Sequence, residues 1–410
     1  MIRGKGAELG LLRRAPDFRR LFLATIASGI GTWLATVALV VDVFDRTGDA
    51  TWVSALLIVE FLPIVLIGLL AGPLIDRLPR RSILVMSDLG RAAVFVALPF
   101  ADTAAGIVLL AAVAGVATSF FRPAVYAGLP NLVADDDLPR ANGLLNSFDN
   151  LTWAVGALAG GVLVAASGPD VAYWLNAASF AASALFIVRI RGRLEEGETA
   201  GEGHWRELGE GFRLVRDTRP LVAVLFAWSL ALVATACVNV AEIVLAKQVF
   251  DSGDFGYGLL LAATGVGLAV GSIAAPEWVA ERGLRAPYGA SILVMAVATA
   301  AAAAAPNVWV AALFVAVNGF GNGIAIICNA LIVQRGAPDR LRGRVFTFLM
   351  SASYGVLGLG MVVAGPLTNL LGAREMWWIA AGVFALAGLT GYVLLGGEAD
   401  ERAAVESAVS

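Results

Sequence analysis

A few charged and amide side chains stand inside runs that are otherwise apolar, and their chemistry sets the question. Glu60 lies midway along the apolar run 51–72, three residues before Pro63. A carboxyl at such a depth is rare because charge there costs about 3 kcal/mol on insertion scales. It can also bind and release a proton, so Glu60 is a proton-coupling candidate. The competing reading pairs Glu60 with an interior arginine, Arg91. Asp88 and Arg91 are three apart and share one helical side, which reads first as a structural intramembrane pair and second as part of a gate. Asn142, Asn146, Asp149 and Trp153 step by three or four along one run, with Asn150 beside them. Such a stripe is expected to face a cavity, because lipid would leave its amides unsatisfied. Asp149 then competes with Glu60 as the proton carrier. Asn318 and Asn322 repeat the pattern further along, with Asn329 beyond them. Trp33 and Trp153 lie deep enough to line a cavity, whereas Trp52, Trp174, Trp309, Trp377 and Trp378 fall where an interfacial belt is expected. Asp42, Asn239 and Glu242 sit toward span ends and read as water-interface groups.

The elements that position these residues follow from composition. Of 410 residues, 59% are hydrophobic and only 15% charged, against about a quarter charged in soluble domains. A soluble fold of this length could not hide so much apolar surface. The net charge of −3 argues against a nucleic-acid binder and against a disordered chain. Cys237 and Cys328 both lie in apolar runs, so neither a disulfide framework nor a metal site is readable. What remains is an all-α polytopic membrane protein.

A crossing helix needs about 20 mostly apolar residues. Such runs fall at 21–44, 51–72, 82–100, 104–126, 143–166 and 171–190, then at 221–246, 257–280, 287–305, 308–332, 345–371 and 375–396. Twelve spans are therefore expected, and the split between 287–305 and 308–332 rests on Pro306-Asn307. With both termini in the cytoplasm, 24 of the 29 lysines and arginines fall on the inner side and 3 on the outer, as the positive-inside rule requires. The first apolar run is long and carries no small-residue cleavage site after a short core, so no cleavable signal peptide is expected. Arginine so outnumbers lysine, with only Lys5 and Lys247 present, that the composition fits a GC-rich bacterial genome and hence a bacterial plasma membrane.

The halves echo each other. Ser82-Ile83-Leu84-Val85-Met86-Ser87 opens one run, and Ser291-Ile292-Leu293-Val294-Met295-Ala296 recurs at the corresponding place in the second half. Two six-span repeats around a midplane site is a transporter architecture. The expected division is an N-terminal bundle over 1–190, a cytoplasmic linker over 191–219 and a C-terminal bundle over 220–410. In the linker, Trp205, Leu208, Phe212 and Val215 fall at helical spacing opposite charged residues, which reads as an interfacial helix. His204, the single histidine, reads as a loop residue.

The segment Gly72-Pro73-Leu74-Ile75-Asp76-Arg77-Leu78-Pro79-Arg80-Arg81 resembles the signature between spans two and three of the major facilitator superfamily, with Pro79 in place of its second glycine. Phe121-Arg122-Pro123-Ala124, Leu129-Pro130-Asn131-Leu132-Val133, Ala141-Asn142-Gly143 and Asp339-Arg340-Leu341-Arg342-Gly343-Arg344-Val345-Phe346 look like the enterobactin-exporter and macrolide-efflux branch. The resemblance implies twelve helices in two repeats and a cytoplasmic gate built from Gly72, Asp76, Arg77, Arg80, Arg81 and Arg344. In it, Asp76 would cap the start of span eleven, whose first backbone N–H groups are unpaired. The residues Gly156-Ala157-Leu158-Ala159-Gly160-Gly161 resemble an antiporter signature, with Ala157 where that signature has proline. Gly156, Gly160 and Gly161 also allow close helix approach on their own account.

Other classes find no support in the residues. A P-loop needs Gly-Lys followed by Ser or Thr, and neither lysine has that context. One histidine and two separated cysteines supply no hydrolytic constellation, so the chain does not read as an enzyme and implies no cofactor. The expectation is a monomeric secondary transporter in the lipid bilayer. It would export an amphiphilic small molecule (a drug, macrolide or siderophore) by alternating access, driven by protons. Uptake or facilitated passage of a metabolite or lipid is the alternative, and a membrane scaffold without transport the alternative of another class.

Overall fold

The computed structural model describes residues 10–70, 78–192, 194 and 204–395, and no strand occurs among them. Helices follow from the solvent. In hydrocarbon every backbone N–H and C=O must find its partner within the chain, which a helix achieves locally. The order is α1 (Pro16–Thr47), α2 (Ala50–Leu70), α3 (Arg80–Ala97), α4 (Ala104–Gly128), α5 (Leu138–Ser167), α6 (Pro169–Val188), α7 (His204–Asp217), α8 (Arg219–Val244), α9 (Gly253–Arg282), α10 (Arg285–Ala303), α11 (Val308–Gly336), α12 (Asp339–Leu371) and α13 (Ala373–Leu394). Among the described residues 11 helices are long and apolar enough to cross a membrane. The remaining expected span falls on α2, whose apolar stretch Ala50–Pro63 is shorter. The break between α10 and α11 is made by Asn307, whose side chain accepts the N–H groups of Trp309 and Val310, both at 3.1 Å. This is an N-cap, and it satisfies donors that the start of α11 leaves open.

The chain divides into two compact units, residues 1–200 with 252–262, and 201–251 with 263–410. Within the first, α1 packs on α5 and α6, α3 on α4 and α6, and α2 on α4. Within the second the pattern recurs: α8 packs on α12 and α13, and α10 on α11 and α13. The junctions recur too. Gly168 opens α6 with φ 76° and Gly372 opens α13 with φ 102°, a backbone region that residues with a Cβ adopt at a cost. The linker helix α7 belongs to the second unit and packs on α8 and α12, with Val215 buried. Its Phe212 ring meets Phe348 edge-on, centroids 5.5 Å apart.

Small residues set how closely helices cross. A methyl at Gly115 of α4 would lie 2.6 Å from the Val59 carbonyl oxygen of α2. In the second unit Gly267 and Gly271 of α9 interlock with Gly319 and Gly323 of α11, each against backbone of the other helix. Lipid tails are as apolar as leucine, so such backbone approach and its dispersion contacts hold helices together where hydrophobic burial cannot.

Candidate functional site

The α2·α4 crossing fixes Glu60. Its Cα lies 3.4 Å from where a Gly115 methyl would sit, and its side chain is partly exposed. No ion pair to Glu60 occurs among the described residues, so the expected alternative of a Glu60–Arg91 pair is corrected. Arg91 instead binds Asp88, one turn away on α3, at 2.5 Å. The guanidinium is also sandwiched between the rings of Phe121 and Phe180, 4.4 and 4.2 Å from their centroids. Both charged groups are almost wholly buried, and Arg91 Nε has no hydrogen-bond partner among the described residues. Attraction at short range and two ring faces offset the desolvation of this pair.

The stripe on α5 is distributed among partners. Asp149 accepts from the Arg122 guanidinium of α4 at 2.5 Å, and both side chains keep solvent exposure. Asn142 and Asn146 each donate back to the carbonyl one turn earlier, at 3.0 and 2.9 Å, and Asn146 Oδ1 receives the Tyr126 hydroxyl at 3.4 Å. Trp153 stacks on Trp33 of α1, with its indole N–H buried and without a hydrogen-bond partner among the described residues. Phe22, Thr25, Asp149 and Thr152 line a shallow niche between α1 and α5. The side chain of Asn150 lies outside the described residues. Gly156 and Gly160 press α5 onto α1, against Ile30 and Leu34 carbonyls, and Gly161 meets the backbone of Gly258 within the same unit.

A feature that sequence reasoning passed over lies on α1. Thr25, Thr32 and Thr36 each donate to the carbonyl one turn back, at 2.7, 2.7 and 3.0 Å. Their spacing, with Ser28 between, puts a ladder of hydroxyls along one face, and that spacing was the available signal. In the second unit Asn318 of α11 donates to the Thr299 hydroxyl of α10 at 2.9 Å and to the Met295 carbonyl at 3.4 Å. Asn318, expected in a stripe facing the cavity, thereby ties α10 to α11. Asn322 is partly exposed one turn on, and Asn329 is buried with Oδ1 unpartnered among the described residues.

Of the expected cytoplasmic gate, Gly72, Asp76 and Arg77 lie outside the described residues. Arg80 and Arg81 hold the chain where it leaves α6. Arg80 donates to the carbonyls of Ala127 and Leu194 at 2.9 and 3.2 Å, and Arg81 to those of Ile190 and Gly192 at 2.5 and 3.0 Å. From the other side Asp17 accepts the backbone N–H groups of Arg191 and Gly192 at 3.1 and 2.8 Å. Asn131 adds a bond to the Leu194 carbonyl at 3.1 Å. Arg344 stands on α12, partly exposed. No group of metal-ligating residues occurs among the described residues.

Two repeats of spanning helices, with charged and amide groups inside, define the class: a polytopic membrane transporter rather than an enzyme. Solved structures share the fold. A point mutant of the nucleoside transporter NupG superimposes with TM-score 0.78 at 14% identity, covering 92% of this chain and 99% of its own. A bacterial homolog of the human lysosomal transporter Spinster, inward-facing and unoccupied, gives 0.76 at 12% identity, covering 93% and 96%. The family described as transmembrane secretion effector matches residues 11–408, and the chain belongs to it, within the major facilitator superfamily. Among curated relatives, the multidrug efflux pump Tap of Mycolicibacterium fortuitum is 29% identical over 383 residues, 88% of this chain and 91% of Tap. The putative bacilysin exporter BacE of Bacillus amyloliquefaciens is 27% identical over 367 residues, 87% and 89% of the two chains.

Proposed function

We propose that this transporter exports amphiphilic small molecules across the bacterial plasma membrane in exchange for protons. The similarity to Tap and BacE, named an efflux pump and a putative exporter, supports the outward direction. One observation carries the coupling: Glu60 stands inside the apolar helix α2 with no ion-pair partner among the described residues, while Asp88 and Asp149 each hold an arginine. An acid free of a fixed cation can exchange its proton for another ligand, and a locked pair cannot do so without breaking. The stacked Trp33–Trp153 pair offers a flat apolar face, and Asn146 and Asn322 offer amides, for an amphiphilic cargo. In this reading both termini lie in the cytoplasm, the two six-helix halves alternate access, the 191–219 linker joins them, and a monomer is the working unit. The inner gate in this reading is built from Gly72, Asp76, Arg77, Arg80, Arg81 and Arg344.

The test is ethidium efflux from proteoliposomes with and without a pH gradient. Glu60→Gln keeps size and hydrogen bonding but removes titration, so gradient-driven efflux should fall at least tenfold while energy-independent exchange survives. Accumulation by Glu60→Gln together with failure of Asp149→Asn would move the coupling site to Asp149. If both variants remain driven by the gradient, proton coupling through these acids is wrong.

A further inference from the structure

The two units carry the same constellation near the end of their first spanning helix, and only one is complete. In the first unit Asp42 of α1 is 5% exposed and accepts from two side chains. The Arg46 guanidinium, one turn on, reaches it at 2.6 Å, and the Tyr173 hydroxyl of α6 donates to it at 2.9 Å. The same hydroxyl lies 3.5 Å from the Ala38 carbonyl, one turn before the acid. In the second unit Glu242 of α8 stands at the matching place. One turn before it, the Val238 carbonyl accepts the indole N–H of Trp377 of α13 at 3.4 Å. Tyr173 and Trp377 hold the same position after the left-handed glycines Gly168 and Gly372 that open α6 and α13. Trp377 therefore replaces Tyr173, and Ala246 replaces Arg46. Both partners of the acid are gone.

The consequence is visible at the carboxyl. Glu242 is 2% exposed, and its Oε1 is buried with no hydrogen-bond partner among the described residues. The neighbouring elements bring no replacement. On α13, Arg374 donates to the Ala305 carbonyl at 3.1 Å and lies over the Phe250 ring, while Glu375 folds back on Gly372. Lys247 has a contact of its own, and no ion pair to Glu242 occurs among the described residues. Of the helices that pack on α8, the stretches 361–371 of α12 and 308–318 of α11 carry no titratable side chain. Directly after Glu242 the helix widens into the π turn Leu245–Val249, a geometry that recurs where helices shift at functional sites.

We propose that Glu242 is a proton-binding site in the second half of the chain, taking a proton from the aqueous side next to residues 250–252 and returning it as the π turn rearranges. A bare carboxylate at this burial has no cation to offset its desolvation, whereas the carboxylic acid carries no charge to desolvate. Asp42 is the internal contrast: a guanidinium and a hydroxyl both donate to its carboxyl. One proton moves on and off the carboxyl, and no other bond changes. The site is independent of the assignment of Glu60, and only the transport arm of its test rests on the proton-driven reading.

The test is infrared spectroscopy of the full chain in lipid nanodiscs, in H2O and D2O. A protonated carboxyl gives a C=O stretch that shifts on exchange. Glu242→Gln should lose one such band, and Glu60→Gln and Asp42→Asn should keep it. Trp377→Tyr restores the hydroxyl of the first half and should move that band to lower frequency; it also serves where Glu242→Gln folds poorly. A Glu242→Gln spectrum identical to wild type, or a Trp377→Tyr band that stays in place, overturns the proposal. In proteoliposomes, pH-driven ethidium efflux should fall at least tenfold in Glu242→Gln and return in Glu242→Asp. If Glu60→Gln remains driven while Glu242→Gln does not, the Glu60 assignment falls and Glu242 stands. If Glu242→Gln is driven as wild type, the proton at Glu242 plays no part in transport and the proposal is overturned.

Discussion

Trp33 and Trp153 stack face to face, with ring centroids 4.8 Å apart and planes within 7° of parallel. They come from α1 and α5, and the contact needs those helices to cross very closely. Glycine supplies that closeness: a methyl at Gly156 would lie 2.8 Å from both the Ile30 carbonyl oxygen and the Trp33 Cβ. The indole pair and the glycine below it are one packing unit.

Widening that crossing should therefore be costly. Gly160→Val drives a branched side chain into the Leu34 carbonyl, 2.8 Å from the first added carbon. Overpacking of this kind costs about 1–3 kcal/mol. Purified Gly160→Val should unfold several degrees below wild type in a thermal fluorescence scan, and Gly160→Ala by less. An unchanged Tm for both would mean the helices do not rely on this approach.

The buried pair on α3 predicts an asymmetry. Arg91→Met leaves Asp88 uncompensated at 0% exposure, and loss of one member of such a pair costs about 3–5 kcal/mol. Removing both, as Asp88→Asn with Arg91→Met, should recover much of the loss. Arg91→Lys keeps the charge but gives up the planar stacking on Phe121 and Phe180, and should be intermediate. Thermal unfolding in detergent orders the three variants; a double variant less stable than Arg91→Met would contradict the account.

The exit from α6 is held from two sides, by Arg81 on the Ile190 and Gly192 carbonyls and by Asp17 on the Arg191 and Gly192 N–H groups. Asp17→Ala or Arg81→Ala should free this stretch without unfolding the bundle. Trypsin would then cut after Arg189 or Arg191 several times faster than in wild type, read by mass spectrometry of the fragments. Equal cleavage rates would show that other contacts hold the segment.

The expected topology rests on charge alone and is open to direct labelling. With Lys and Arg concentrated on one side, a cysteine at Asp49 should react with an impermeant maleimide in intact cells, and one at Ser82 should not. The reverse pattern would invert every loop.

Much of this protein is local and so legible in the sequence. Hydropathy along each helix, the Asn307 cap, the left-handed glycines and the recurrence of Ser82–Ser87 at Ser291–Ala296 each depend on neighbours in the chain, which is why element number, length and pairing in repeats can be read from residues. Which polar groups meet depends instead on where helices cross and how each rotates about its axis, and hydropathy is nearly blind to both. Arg91 reaches Asp88 and two phenyl rings rather than Glu60 because α3 turns its face toward α4 and α6. Asn318 joins Thr299 because α10 and α11 lie side by side. Glu242 read as an interfacial acid because its distance along the helix was visible and its surroundings were not. Only the folded bundle, which sets Trp377 where its counterpart carries a tyrosine hydroxyl, leaves Oε1 of that carboxyl without a hydrogen-bond partner among the described residues.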